Sequence, residues 1–467
     1  MALPLDHLRD RLRSVRELAR LRPFDTSTPE GRSRERYRRI LLSSATGLAA
    51  MGVSALVGLA SVPISLHYLG KEAYGLWAVV GSVAAWVAIF DLGLVQGLVI
   101  AVSEAHGRED REAARAYFST AFFALVGVAS IVAGSVALVT PLLPWARLFE
   151  VPASIPPGTA AAGFGVALAL SALALPVALV PQAYAGFQRA YVASVFAMGG
   201  AVLSLGFLVV ATRLGAPFAA VVAASGAATL LAGLASLAWL AGRQMPWMRP
   251  RWSAVSGKAL RRLLSSAVPL YLFQLGALLV NQTQRPVLAH QAGLGIVAEY
   301  DVLIRIYVFA SLLVTASTAS VAPAFRESWE RGERSWVRSA FWRLVSFRVA
   351  AGVVGCTVLV VFGNDLLGLW LGRPDFHFAP SVWLALSAYL VVAIWGTSFF
   401  ELLTILDRIW VQVAVVLAQG IVTVALTWVL GGRFGVLGAL AAVGLPTLVV
   451  SGGVMPWLGT ALLRRDR

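Results

Sequence analysis

Long apolar runs, separated by short polar connections, occupy most of the chain. Crossing roughly 30 Å of hydrocarbon takes about 20 apolar residues in a helix. Runs of that size fall at 40–69, 74–101, 117–140, 159–187, 190–214 and 216–241. A second set falls at 266–290, 298–322, 341–362, 380–406, 408–431 and 433–461. The pattern predicts an all-α integral membrane protein of about twelve transmembrane helices. Prolines inside the runs (Pro63, Pro176, Pro181, Pro269, Pro286 and Pro446) mark expected kinks where helices bend around a cavity. The competing reading is structural, since proline is commoner in membrane helices than in soluble ones.

The two sets are related. Arg38-Arg39-Ile40-Leu41-Leu42-Ser43-Ser44-Ala45 returns, one residue shorter, as Arg261-Arg262-Leu263-Leu264-Ser265-Ser266-Ala267. At a steady offset of 223, Pro63, His67 and Gly70 return as Pro286, His290 and Gly293. Glu104, Arg108, Arg111, Arg115 and Phe118 return as Glu327, Arg331, Arg334, Arg338 and Phe341. An offset kept through charged and rare residues implies two homologous halves, 40–241 and 266–467, each of six helices. An even helix number inserts both halves the same way up. Their pseudo-twofold axis then runs along the membrane normal, as in carriers built from parallel repeats.

Composition agrees. The hydrophobic fraction is 58% and the charged fraction 13%, with a mean hydropathy of +0.78; a soluble domain carries roughly 25% charged residues. The net charge of +15 does not indicate nucleic acid, because of its placement. Thirty of the 38 positive residues lie in the N-terminal arm, the alternate connections on the same side and the C-terminal tail. The opposite connections hold only Lys71, Arg147, Arg213, Arg373 and Arg433. The positive-inside rule then places both termini in the cytosol. Residues 1–39 carry eleven arginines and no long apolar run, so they read as a cytosolic basic amphipathic arm facing anionic lipid rather than a signal peptide. The connection 242–265, with Trp247, Trp252 and six positive charges, reads as a cytosolic amphipathic linker between the halves, or as a plain loop. The single cysteine, Cys356, sits in an apolar run. It allows no intramolecular disulfide, and its expected role is helix packing.

Ionisable groups in a span cost about 2.5–3.5 kcal/mol each at the helix centre and therefore need a reason. The seventh helix carries Gln274, Asn281, Gln282, Gln284, Arg285 and His290, and the eighth Glu299, Asp301 and Arg305. Gln274, Asn281 and Arg285, at spacings of seven and four, share one helical face. Such a face suits a water-filled path, with Gln274, Asn281 and Gln282 lining it. Arg285 and Arg305 are candidates to bind a phosphate or pyrophosphate, which a guanidinium grips bidentately. The competing reading pairs Arg305 with Asp301 one turn away and closes Arg285 into an internal salt bridge. Glu299 and Asp301 are expected at a solvated external rim. Asp91, in a glycine-containing stretch that permits close helix approach, and Glu401 are ion-coupling candidates, with a structural role as the alternative for each. His67 and His290 lack a third ligand, so packing is expected rather than metal, and no cofactor is implied. No nucleotide-binding loop, zinc-protease or hydrolase motif occurs.

The run Tyr68-Leu69-Gly70-Lys71-Glu72-Ala73-Tyr74-Gly75-Leu76-Trp77, the stretch Asp91-Leu92-Gly93-Leu94 and the loop from Gly107-Arg108-Glu109-Asp110 to Phe118-Ser119-Thr120 resemble the polysaccharide-biosynthesis, O-antigen-type flippases. These belong to the multidrug/oligosaccharidyl-lipid/polysaccharide exporter superfamily. The motif match covers about the first 120 residues; the remainder matches by layout. The resemblance implies two six-helix lobes around a V-shaped cavity in a bacterial inner membrane. It further implies alternating-access transfer of undecaprenyl-pyrophosphate-linked sugars to the periplasmic leaflet, driven by an ion gradient. A polysaccharide polymerase or glycosyltransferases are the expected protein partners. Peptidoglycan-precursor flippases carry arginines in their first helices and two further C-terminal helices. The first helix here lacks arginine beyond its cytosolic start, which argues against that branch.

The resulting expectation is a lipid-linked oligosaccharide flippase that is not an enzyme. An ion-coupled drug exporter of the same superfamily and a membrane polymerase or ligase of glycan assembly are the alternatives. Arg285 and Arg305 correspond in the repeat to Val62 and Ser82, so function is expected where the repeat breaks.

Overall fold

The computed structural model describes Asp25 and residues 28–373, 376–406 and 408–464. Most of the expected basic arm, and the last residues of the tail, lie outside the described residues. The first half of the chain forms α1 (Pro29–Leu69), α2 (Lys71–Ala85), α3 (Leu94–Gly107), α4 (Arg111–Val139), α5 (Trp145–Leu148), α6 (Thr159–Ala174), α7 (Leu179–Gly186), α8 (Ala190–Arg213) and α9 (Phe218–Trp239). The second half forms α10 (Gly257–Gln282), α11 (Gln284–Ala292), α12 (Leu294–Glu330), α13 (Arg334–Leu371), α14 (Pro380–Ile405), α15 (Ile409–Thr447) and α16 (Met455–Arg464). No strand occurs among the described residues.

Ten stretches of the described residues are long and apolar enough to cross a membrane, counting the pair α6 and Pro176–Gly186, bent by 43°, as one. One of the ten, Ile409–Leu462, has 54 residues and would reach about 80 Å if straight. Gly435 interrupts it with φ 54° and ψ −130°, and Gln419 donates to the Thr447 hydroxyl at 3.0 Å. Side chains 28 residues apart meet only if the chain doubles back, so this stretch makes two passes. Helix α12, with 37 residues, supplies another, which is consistent with the twelve expected.

Local chemistry sets the ends and breaks. Thr28 caps α1, its hydroxyl accepting from the Gly31 N–H at 3.0 Å, and Pro29 occupies the first turn, where a missing N–H costs nothing. The helix thus starts ahead of residue 40, inside the expected arm. Between α2 and α3 the chain passes through a 3-10 turn, Trp86–Asp91, and two left-handed residues, Leu92 and Gly93. Asp91 holds this break by accepting from the Gly93 N–H at 2.7 Å. Residues from Gly257 onward already belong to α10, so the expected linker 242–265 is only in part a loop: its short turns, Pro246–Met248 and Trp252–Ala254, are clamped onto α4. There Arg115 Nε donates to the Trp247 carbonyl at 2.5 Å, and the Ser119 and Thr120 hydroxyls accept from the N–H groups of Arg251 and Ser256.

Packing differs at the two ends of the bundle. At the end bearing Lys71 and Glu299, one apolar core joins both halves, with Tyr74 and Leu76 packed among Leu294, Val297, Leu367 and Trp383. Gly75 allows that approach, since a Cβ there would lie 2.0 Å from the Leu294 carbonyl oxygen. At the arginine-rich end the core divides. One cluster gathers Leu98, Phe118, Tyr184 and Met248, with Leu263 of α10 as its contribution from the second half. Another gathers Phe325, Phe341 and Phe399 within the second half. Between these clusters α10 stays bound to the first half. Arg262 reaches Glu104 at 2.5 and 2.7 Å, and this bond holds the Glu104 carboxyl below its usual range. Two lobes closed at one end and separately cored at the other form the expected V.

Candidate functional site

A cavity of about 870 Å³ opens between the lobes. Its walls come from α1, α2, α6 to α9, and the short end of the second half formed by α10 to α12. The first half contributes small and hydroxyl-bearing residues, among them Gly58, Gly81, Gly200, Ser204, Ser225 and Thr229. The second half contributes Gln282, Arg285, Asp301 and Arg305, and among the described lining residues Arg285, Asp301 and Arg305 are the ionisable ones.

The backbone brings these groups together. Gly293 turns the chain with φ 84° and ψ 166°, so α11 and α12 fold back on each other and Arg285 meets Asp301. Arg285 Nε donates to Asp301 Oδ1 at 2.7 Å. Arg305 Nε reaches Asp301 Oδ2 at 3.3 Å, and the Tyr74 hydroxyl of α2 donates to the same oxygen at 2.7 Å. Asp301 is 1% exposed, whereas the side chains of Arg285 and Arg305 are 12% and 30% exposed. The Arg305 guanidinium also lies 5.8 Å from the centre of the Trp77 ring, a favourable cation–π distance. Two guanidiniums sharing one carboxylate leave one positive charge in excess. The pairing that the sequence offered as the competing reading is the one observed, since both arginines meet Asp301; both also line the cavity.

Asp301 corrects an expectation. It is not on a solvated rim but buried at the junction of the halves, and the sequence does not reveal this because its partner Tyr74 is 227 residues away. Glu299 remains nearer the end of the bundle, paired with Lys71 at 2.5 Å.

The other candidates separate. Gln282 lines the cavity. Gln274 is not among the lining residues; its amide donates to the Ala88 carbonyl at 3.2 Å and braces α10 against the break in the second pass. Asn281 is exposed and also off the cavity wall, its amide donating to the Ala277 carbonyl at 2.8 Å. Gln284 donates to the Val280 carbonyl, in the last turn of α10 where the helix gives way to α11. Asp91 is 4% exposed and engaged with Gly93, and Glu401 accepts from Arg348 at 2.8 Å; neither lines the cavity. His67 contacts the Pro63 carbonyl, while His290 contacts the Leu148 carbonyl and stacks near Trp428. Among the described residues no group of three or more metal-ligating side chains forms.

Sequence reasoning passed over two residues. Tyr74 stands inside the first resemblance motif, where its hydroxyl was legible but its partner was not. Arg348 is an arginine well inside an apolar run, which is a signal in itself. Its side chain is buried, donating to Glu401 and to the Ser398 hydroxyl at 3.0 Å.

Comparison with known proteins places this geometry in context. A family described as "Polysaccharide biosynthesis protein" matches residues 42–329. A Salmonella typhi protein named "Putative O-antigen transporter" is 20% identical over 413 residues, covering 87% of this chain and 92% of its own. An inward-facing multidrug resistance MATE family transporter of the MOP superfamily is similar in structure, with a TM-score of 0.72 at 15% identity over 89% of this chain and 96% of its own. A MOP superfamily transporter from Pyrococcus furiosus, described as having a binding pocket of reverse polarity, matches with a TM-score of 0.65 at 14% identity, covering 91% of this chain and 95% of its own. At such identities these structures establish the fold alone.

Proposed function

Since the chain belongs to the polysaccharide biosynthesis protein family and is a membrane transporter, we propose that its cargo is a lipid-linked oligosaccharide moved between leaflets by alternating access. The observation that carries this reading is the pair Arg285 and Arg305 on the cavity wall, sharing the single carboxylate of Asp301. An excess guanidinium in a partly desolvated cavity suits the pyrophosphate of an undecaprenyl carrier. The sugars occupy the part of the cavity formed by the first half, where Ser204, Ser225 and Thr229 stand among small and apolar residues, while the isoprenoid tail stays in lipid. With the arginine-rich connections in the cytosol of a bacterial inner membrane, the split end of the V faces the cytosol and loads cargo there. Anionic lipids adjoin that basic face, and glycosyltransferases or a polymerase act before and after the transfer.

A cationic-drug exporter fits less well. It calls for an acid free to receive the drug, and the only acid among the described residues of the wall, Asp301, is held by two arginines. Asp91 and Glu401 are read as structural, because one fixes a helix break and the other answers Arg348.

The test is complementation of a flippase-null strain with Arg285→Ala. The variant is expected to insert at normal levels and to lose surface polysaccharide. Full complementation overturns the pyrophosphate role; drug resistance on overexpression, or glycan polymerisation by the purified protein, points to the alternatives.

A further inference from the structure

Asp301 does two things at once. Its Oδ1 neutralises Arg285, and its Oδ2 receives both Arg305 and the Tyr74 hydroxyl. The arginines face the cavity, while Tyr74 belongs to the core that closes the opposite end. Around this oxygen pair the halves meet closely: Lys71 pairs with Glu299, Gly75 lies under the Leu294 carbonyl, and Trp370 of α13 and Arg373 just beyond it donate to the Leu59 and Leu66 carbonyls of α1. One carboxylate thus sits between the cargo-binding charge and the closure of the lobes.

We infer that Asp301 is a positioning residue that couples anion binding to release of the closed end, through its simultaneous hold on Arg285, Arg305 and Tyr74. The inference rests on the pyrophosphate reading for its ligand, but not for its geometry. An anion seated on both arginines draws them from Asp301, leaving a buried carboxylate beside a second negative charge with one neutral donor, Tyr74. A buried charge stripped of its partners is strongly unfavourable. Parting of the lobes at Tyr74 admits water and relieves it. Cargo binding therefore destabilises the closed end, and by linkage an open end favours cargo on the arginines. Without cargo the arginines neutralise Asp301, the Tyr74 bond holds, and the end stays shut.

The test reads opening directly. Cys356 is the only cysteine in the chain, so a Cys356→Ala background accepts a single reporter. Gly295 suits it, since a Cβ there meets only Lys71 Cε at 3.9 Å across the lobe interface. Labelling of Gly295→Cys by a membrane-impermeant maleimide, in vesicles exposing this end, reports separation, with farnesyl pyrophosphate as the soluble probe. In the parent the probe is expected to raise the labelling rate severalfold. Asp301→Asn, which frees both guanidiniums, is expected to bind the probe about tenfold more tightly, yet to label at one rate with or without it. Asp301→Glu restores the response. Tyr74→Phe keeps the three charges, is expected to label faster without probe, and responds less to its addition. If Asp301→Asn responds like the parent, or if Tyr74→Phe leaves the ligand-free rate unchanged, the coupling role is overturned. Should the parent fail to bind the probe, the pyrophosphate reading falls, and the ligand-free rates of the two variants still decide whether Asp301 and Tyr74 hold the end shut. If Asp301→Asn does not fold, Tyr74→Phe carries the same decision alone.

Discussion

The two halves share a backbone and differ in charge. Gly70 and Gly293, equivalent in the repeat, adopt nearly the same conformation, φ 80° with ψ 170° and φ 84° with ψ 166°. Each ends the helical run that its half begins with, and each starts the next. Glu104 pairs with Arg108, and its counterpart Glu327 pairs with Arg331. The cavity residues break this correspondence. Arg285 answers to Val62, which is fully buried, and Arg305 answers to Ser82, whose hydroxyl donates to its own helix at the Val79 carbonyl. The duplicated frame thus sets matching turns and pairs in both halves, while among the described residues the ionisable groups on the cavity wall come from the second half.

This contrast can be broken in order of expected effect. The largest concerns an arginine of the second half that does not face the cavity: Arg348→Ala strips a buried pair and is expected to cost about 3–5 kcal/mol of stability. A lowered midpoint of thermal unfolding in detergent checks it, and an unchanged midpoint would show that burial, rather than cavity exposure, fails to separate structural from functional arginines. Next, Arg285→Val gives the second half the residue of the first. Transport measured by complementation is expected to fall roughly 100-fold, about 2.7 kcal/mol, while the remaining Arg305–Asp301 pair keeps the fold. Gly75→Ala drives a Cβ into the Leu294 carbonyl and is expected to destabilise the closed arrangement by about 1–3 kcal/mol, seen as faster proteolysis or labelling at that end. Arg305→Lys keeps the charge but loses the planar fork; about a tenfold loss of transport is expected, and a wild-type rate would mean that charge alone is read. The smallest effect is at Lys71→Ala, where loss of a partly exposed ion pair is expected to shift stability by less than about 1 kcal/mol.

Much of this was legible in the chain. Apolar run length delivered the helical passes, including the division near residue 432 that the backbone makes at Gly435, because a membrane helix must satisfy its own hydrogen bonds over a fixed thickness. The arginines inside spans identified the charged wall for the same reason of cost. Helical periodicity was a weaker guide: it grouped Gln274 and Asn281 with Arg285, but the break at Thr283 ends α10, and beyond it the shared face no longer runs on. Gln274 turns to the Ala88 carbonyl instead.

The class, the two related halves, the charge asymmetry between alternate connections and the presence of guanidiniums in apolar surroundings are written in the chain. Each of these follows from local composition or from a repeat read along the chain. The Arg305–Asp301 pair was open to the sequence as an i,i+4 spacing, but the convergence of Arg285 and of Tyr74 from the other half on the same carboxylate came from the folded arrangement. Such convergence depends on the turn that folds α11 against α12 and on a helix 227 residues away that brings Tyr74 to the same oxygen, and in a buried setting partners, not residue types, fix what a charge does.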